Sequence, residues 1–251
     1  EQGEHPIFGD VRVRQAMIMG WSKDDAITLT GGTGRRLATT IPSAVTWAHD
    51  ESLEPYPYDP DAAAALLDEA GWIMNESTGI REKDGMRLEF QLDYQAGRFD
   101  DIAAVAADQL SRIGVQVNLN AGELGSIVSQ RVFPQVHDAW IIAPAWSTPN
   151  PQVLTQALLH SSQDTLVGTL NTASYHNPEL DQLLAEAVTV PGCAPEDRAE
   201  IYYDIQDIIH NDAVYDFVLE DSRILVTSAR LQNFTAYSWG DNPVVEWTLD
   251  N

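Results

Sequence analysis

Residues 86–120 constrain the fold more than any other stretch. In "MRLEFQLDY", Met86, Leu88, Phe90, Leu92 and Tyr94 alternate with polar residues, the period-two pattern of a half-buried strand. The chain then changes period: "FDDIAAVAADQLSRIG" sets Ile102, Val105, Ala106, Leu110 and Ile113 on one helical stripe, with Gly114 as terminator. "VQVNLN" alternates again. Strand, helix and strand in that order predict an α/β sheet, with right-handed connections wherever the strands run parallel.

The flanking segments extend this pattern. "YDPDAAAALLDEAGW" reads as a helix with Asp59 at the N-cap, Pro60 in its first turn, Gly71 past its end and an apolar face of Ala63, Leu66, Leu67 and Ala70. Turn signals at Ser77–Gly79 and Lys83–Gly85 predict a hairpin between that helix and the Met86 strand. Upstream, Val11, Ala16, Ile18 and Met19 precede a break at Gly20, and Ser22 caps a second short helix. "LGSIVSQRVF" reads as a short helix, and "HDAWIIAPAW" as a buried strand running into the loop "WSTPNPQ". Pro178 and Pro195 open two more helices, the second with a stripe of Ile201, Ile205, Ile208 and Ile209. The last segments, "DFVLEDSRILVTSARLQNF" and "PVVEWTLDN", read as β structure.

Charge excludes whole classes of function. Against 14 Lys plus Arg stand 38 Asp plus Glu, a formal charge of −24, which is incompatible with gripping a phosphate backbone, so nucleic acid is not an expected partner. Asp outnumbers Glu, and the only lysines are Lys23 and Lys83. That skew suits a protein of a high-salt environment, where self-repulsion is screened and hydrated carboxylates keep the chain in solution. Cys193 is the one cysteine, so neither an internal disulfide nor a Cys-rich metal site is expected. The start of the chain carries no export or anchor signal, which suggests a fragment of something longer.

Motifs of catalysis and cofactor binding are missing: the six histidines never approach metal-ligand spacing, and no HExxH, GxSxG or dinucleotide fingerprint occurs. "GGTGRR" at 31–36 lacks the Lys-Ser/Thr ending of a phosphate loop. The acidic pairs Asp24-Asp25 and Asp100-Asp101 fall at helix starts, where a carboxylate meets unpaired N–H groups. No catalytic residue, cofactor or metal is therefore expected. Trp47 and Trp146 sit beside turn residues instead of inside periodic stripes; such indoles either sandwich a ligand or pack over a sheet edge.

Five segments then coincide in order over nearly the whole chain: "FGDVRVRQAMIMGWSKDDAI", "YDPDAAAALLDEAGW" with "GIREKDGMRLEFQL", "VAADQLSRIGVQVNL", "NTASYHNPELDQLLAEA" and "EDRAEIYYDIQDIIHNDAV". Together they resemble the family-5 solute-binding proteins of ABC importers, the dipeptide- and oligopeptide-binding group. The resemblance implies a periplasmic-binding-protein-like (type II) lobe, a mixed sheet flanked by helices. Residues 1–220 would form the C-terminal lobe, and 221–251 would be strands returning to an N-terminal lobe encoded upstream. It implies two-lobe closure on a peptide or similar small solute, delivery to a membrane permease, and an extracytoplasmic location with a lipid anchor upstream. The same binding module as a sensor fused to a regulatory partner is the alternative; a hydrolase, needing two carboxylates about 5–10 Å apart, is a third reading. The implied ligand-binding residues are Trp146, Ser147, Pro149 and Asn150 in the loop after the "AWIIAPAW" strand, with Asn171 and Tyr175 on the next segment; Trp47 joins them only as an indole beside turn residues. One departure matters. Peptide binders of the family carry an Asp soon after that Trp, whereas "WSTPNP" has no acid, and a buried ammonium without a counter-charge is costly.

Overall fold

The computed structural model describes residues 5–32, 34–144, 150–165, 169–192, 194–220, 226–234 and 248–249. Helix α1 (Val11–Met19) starts where the Asp10 side chain accepts the Arg12 N–H, and α2 (Lys23–Leu29) starts where Ser22 accepts the Asp25 N–H. The buried side of α1 is Val13, Ala16, Met17 and Ile18, and positions 13, 16 and 17 share one side of a helix; Met19 is half-buried against the same core. Helix α3 (Pro60–Glu69) has the expected Asp59 cap and buries Ala63 and Leu67.

The hairpin follows as β1 (Ile73–Asn75), β2 (Ile80–Lys83) and β3 (Met86–Arg87), an antiparallel sheet. Next come β4 (Glu89–Gln95), α4 (Asp100–Ser111) and β5 (Gln116–Gly122), with β4 and β5 parallel from Glu89↔Gln116 to Gln95↔Gly122. Leu88 joins the two sheets: its N–H donates to the Arg81 carbonyl and its carbonyl accepts from Gln116. The strand expected to run unbroken from Met86 is therefore interrupted, and Met86 lies exposed while Leu88, Phe90 and Tyr94 are buried. Arg81, itself buried, fastens the hairpin to the helix ends through the Ile113 carbonyl at 2.7 Å, the Trp72 carbonyl at 2.7 Å and the Asp68 carboxylate.

Helix α5 (Leu124–Ile127) runs into a π-helical turn (Val128–Val132), and β6 (Ala139–Trp140) adds to the free side of β4, giving the parallel order β5-β4-β6. Helices α6 (Pro151–Leu159), α7 (Pro178–Ala187) and α8 (Pro195–Asp212) follow, then the short antiparallel pair β7 (Leu231–Gln232) and β8 (Thr248–Leu249). Asn150 and Asn177 cap α6 and α7, each ahead of a proline.

Apolar side chains collect into two cores. The first gathers Val13, Leu67, Trp72, Leu88, Phe90, Ile102, Leu110 and Val115 around the sheets, α1, α3 and α4. The second gathers Ile41, Val45, Leu158, Leu159, Leu180, Leu184, Tyr202, Ile205 and Ile209 around α6, α7 and α8. Polar groups tie the cores where α8 ends and its last carbonyls lack helical partners. The Tyr56 hydroxyl donates to His210 O at 3.0 Å, Gln15 to Asn211 O at 3.2 Å, and Arg14 to Asp212 O at 2.9 and 2.7 Å. The chain then crosses back. Val214, Tyr215 and Phe217 pack on the second core, Val218 and Leu219 on the first, and between them Asp216 receives Trp21 Nε1 at 2.7 Å and Lys23 Nζ at 3.1 Å. Glu220 ends the crossing in a two-way backbone bridge with Arg35.

Candidate functional site

The parallel sheet directs attention to its carboxyl edge, where open α/β sheets hold ligands. Asp93, at the centre of β4 and fully buried, is neutralised by Arg131 Nε at 2.6 Å and bonded by Asn120 at 2.6 Å and Gln91 at 2.8 Å. With its acceptors filled from three sides, this carboxylate holds the sheet together. Strand β6 is far shorter than the run "AWIIAPAW" led us to expect. Ile141 still donates to Asp93 O, but it packs on the first core while Ile142 packs on the second. The backbone thus leaves the sheet at the seam between the cores. Trp146, Ser147 and Pro149 lie outside the described residues. Asn150 is described: exposed, it caps α6 by accepting the Gln152 N–H at 3.1 Å.

Trp47 stands at that same end of the helical layer. Its partly buried ring meets Tyr202 edge-on at 5.4 Å and 80°, with the Arg198 guanidinium 5.2 Å from its centroid. The Tyr202 hydroxyl donates to Gln152 Oε1 at 2.9 Å, two residues beyond Asn150. Trp47 is therefore linked to Asn150 through Tyr202 and Gln152. The Trp47 loop is fixed by Gln206, which is fully buried: its Oε1 accepts Thr39 Oγ1 at 3.0 Å and Asp50 N at 3.4 Å, and its Nε2 donates to Ala48 O at 2.8 Å.

Asn171 and Tyr175 form a second group at the other end of α8. Asn171, 1% exposed, folds the turn between them by donating to Tyr175 O at 2.8 Å and accepting Tyr175 N at 3.1 Å, and it reaches His160 O at 3.3 Å. The Tyr175 hydroxyl donates to Asp212, which also receives Asn177 at 3.1 Å. Burial first, and the Asp212 carboxylate second, push that phenol well above its ordinary range, so it stays a neutral donor. From Tyr202 to Asp212 a helix rises about 15 Å. The described members of the expected set thus resolve into two pairs, Trp47 and Asn150 beside the first half of α8 and Asn171 and Tyr175 at its C-terminal end, with the turn of Asn171 and Tyr175 strapped to the sheet by Trp140 Nε1 to Thr172 Oγ1 at 3.2 Å.

Sequence reading passed over the group that gathers on Asp164. Its Oδ1 accepts Gln135 Nε2 at 2.7 Å and Ser174 Oγ at 3.1 Å, and its Oδ2 lies 2.7 Å from His176 Nε2. Ser, His and Asp meet here in the wrong order for nucleophilic catalysis: hydroxyl and imidazole both bond the carboxylate, so the imidazole does not stand between them as a base. No local signal marks Asp164, since its partners lie 29, 10 and 12 residues away. Among the described residues no group of three or more His, Cys, Asp or Glu is placed to hold a metal ion. The pocket between Lys23, Arg36, His210 and Tyr215 encloses about 10 Å³, room for one water-sized molecule.

Residues 2–165 match the profile of the Bacterial extracellular solute-binding proteins, family 5 Middle. The chain is 26% identical over 239 residues to the oligopeptide-binding protein AppA of Bacillus subtilis (strain 168), covering 92% of this chain and 42% of that protein. It is 27% identical over 234 residues to heme-binding protein A of Haemophilus influenzae, covering 93% and 40%. Its fold matches that of the ABC transporter-associated periplasmic binding protein DppA from Helicobacter pylori, solved in complex with the peptide STSA. The TM-score is 0.81 at 21% identity, over 98% of this chain and 45% of that one. The chain spans less than half the length of these relatives.

Proposed function

The chain belongs to the family 5 bacterial extracellular solute-binding proteins and has the fold of a periplasmic-binding-protein lobe, and from that premise we propose that it is one lobe of an importer's receptor. The whole receptor closes on a peptide or similar small solute outside the cell and passes it to the permease of an ABC importer, with no chemistry done on the ligand. Residues 1–220 form the lobe, and 221–251 return to its partner lobe, which lies upstream together with any lipid anchor. The ligand-binding residues are Trp146, Ser147, Pro149 and Asn150, together with Trp47, Asn171 and Tyr175.

The observation that carries this reading is the exit of β6. The backbone leaves the carboxyl edge of a parallel sheet between two cores, and the turn of Asn171 and Tyr175 is tied to that same strand through Trp140. The relatives bear names of oligopeptide and heme binders, and the chain has no acid between Trp146 and Pro151. We therefore favour a ligand held by aromatic packing and backbone hydrogen bonds over one held by a free ammonium. Native mass spectrometry of the full-length protein, purified at high salt from its own cells, tests this. A retained peptide or small solute supports the reading. A protein that stays bare, and remains so against peptides, sugars and metal chelates, refutes it.

A further inference from the structure

Two residues far apart in sequence adopt left-handed backbone conformations and spend their side chains on one acceptor. Gln135 has φ 54° and Ser174 φ 48°, a setting that non-glycine residues adopt at some cost and that persists when the surroundings enforce it. Both donate to Asp164 Oδ1, while His176 holds Oδ2. Three segments thus converge on one carboxylate: the turn ahead of β6, the stretch after α6, and the loop that leads into α7. Burial alone would raise the Asp164 carboxyl, but the hydrogen bonds from His176, Gln135 and Ser174 bring it below its ordinary value. It therefore stays an acceptor at neutral pH.

We propose that Asp164 is a positioning residue for the ligand-facing wall 171–176: its carboxylate enforces the strained turn at Ser174 and so sets the backbone on which Tyr175 is presented. This rests on the solute-binding reading for the word ligand, but the clamp itself does not. Trp140 secures Thr172 and Asn171 secures Tyr175, so the far end of the wall, Ser174 and His176, is left to Asp164. Removing the carboxylate frees Ser174 to relax toward a right-handed turn, which loosens the backbone on both sides of Tyr175 while Asp212 still holds the phenol end of its side chain.

Hydrogen exchange and peptide binding, measured together on the full-length protein, test the proposal with D164A and the near-isosteric D164N. In D164A the amides of 172–176 are expected to exchange on the order of tenfold faster or more, while those of α7 and α8 hold their wild-type rates. D164N keeps an acceptor for Gln135 and Ser174 and is expected to fall between, which guards against a folding defect in the alanine variant. With a mixed-sequence nonapeptide as probe, D164A is expected to bind at least tenfold more weakly, and D164N to recover part of the loss. Unchanged exchange at 172–176 overturns the clamp. Faster exchange with nonapeptide affinity within twofold of wild type overturns the positioning role. A wild-type protein that ignores the nonapeptide counts against the peptide reading, and the exchange data then decide the clamp by themselves.

Discussion

Replacing Gln206 with leucine puts the clearest price on the polar groups that hold the Trp47 loop. Gln206 is fully buried in the middle of α8, and leucine is close to it in size. The change strands the Ala48 carbonyl, bonded at 2.8 Å, and the Thr39 hydroxyl, bonded at 3.0 Å, and removes a longer contact of 3.4 Å from Asp50 N. Tyr202 O keeps the backbone bond of the helix. A buried group left without its partner costs about 1–3 kcal/mol, and leucine returns roughly 1 kcal/mol of apolar burial. The expected net loss is about 2–4 kcal/mol, read as a lower urea midpoint with unchanged slope at constant high salt. Combining T39V with Q206L is expected to cost about 1 kcal/mol less than the sum of the two, because the double variant leaves no hydroxyl stranded. A loss below about 0.5 kcal/mol, or strict additivity, would refute the claim that Gln206 fixes this loop.

Further expectations follow from the same contacts. Burial pushes His210, stacked on Tyr56 at 4.2 Å, below its ordinary value of 6.5. The unfolded chain then binds the proton more readily, so the stability from the neutral ring is complete above about pH 6.5 and is lost as the pH falls below it. Denaturation of wild type and H210N between pH 7.5 and 5 checks this; equal slopes would contradict it. Gly114 has φ +84°, and a Cβ there would sit 2.6 Å from Met74 Cε and 2.9 Å from Arg81 Cγ. G114A is expected to lose about 2–4 kcal/mol by chemical denaturation, and a loss under about 1 kcal/mol would mean that the hairpin yields easily. R14M takes the guanidinium from Asp212 O, Phe8 O and Gly9 O. It is expected to cost about 2–3 kcal/mol and to speed exchange in the last turn of α8, whereas unchanged exchange there would mean that Gln15 and Tyr56 suffice.

Much of the fold was legible because it rests on short-range rules. Asp59-Pro60 and Asn177-Pro178 start helices where capping chemistry says they must, and Gly71 and Gly114, both with positive φ, close the two helices expected to end there. The acidic pairs Asp24-Asp25 and Asp100-Asp101 do stand in first turns. The misreadings share a cause. Met86 continues the alternation of "MRLEF" on paper, but Leu88 hands the chain from one sheet to another, and periodicity carries no record of which partner a strand chooses. "AWIIAPAW" is apolar enough for a long strand, yet Ile141 and Ile142 serve different cores, and an apolar run does not reveal that its burial is divided. Of the candidate site, Asn150, Asn171 and Tyr175 are expectations carried by resemblance, and the sequence held no sign that Asn150 lies toward Tyr202 while the other two lie toward Asp212.

By itself the sequence determined most of the element types, their caps and the kinship with solute-binding proteins, because these depend on residues a few positions apart or on motifs in a fixed order along the chain. Only the tertiary structure decided that there are two cores, that Gln206 holds the Trp47 loop, and that Gln135, Ser174 and His176 meet on Asp164. Those pairings span 10 to 167 residues of sequence. A hydrogen bond at such separation depends on where the packed elements bring its two ends, and no local pattern encodes that distance.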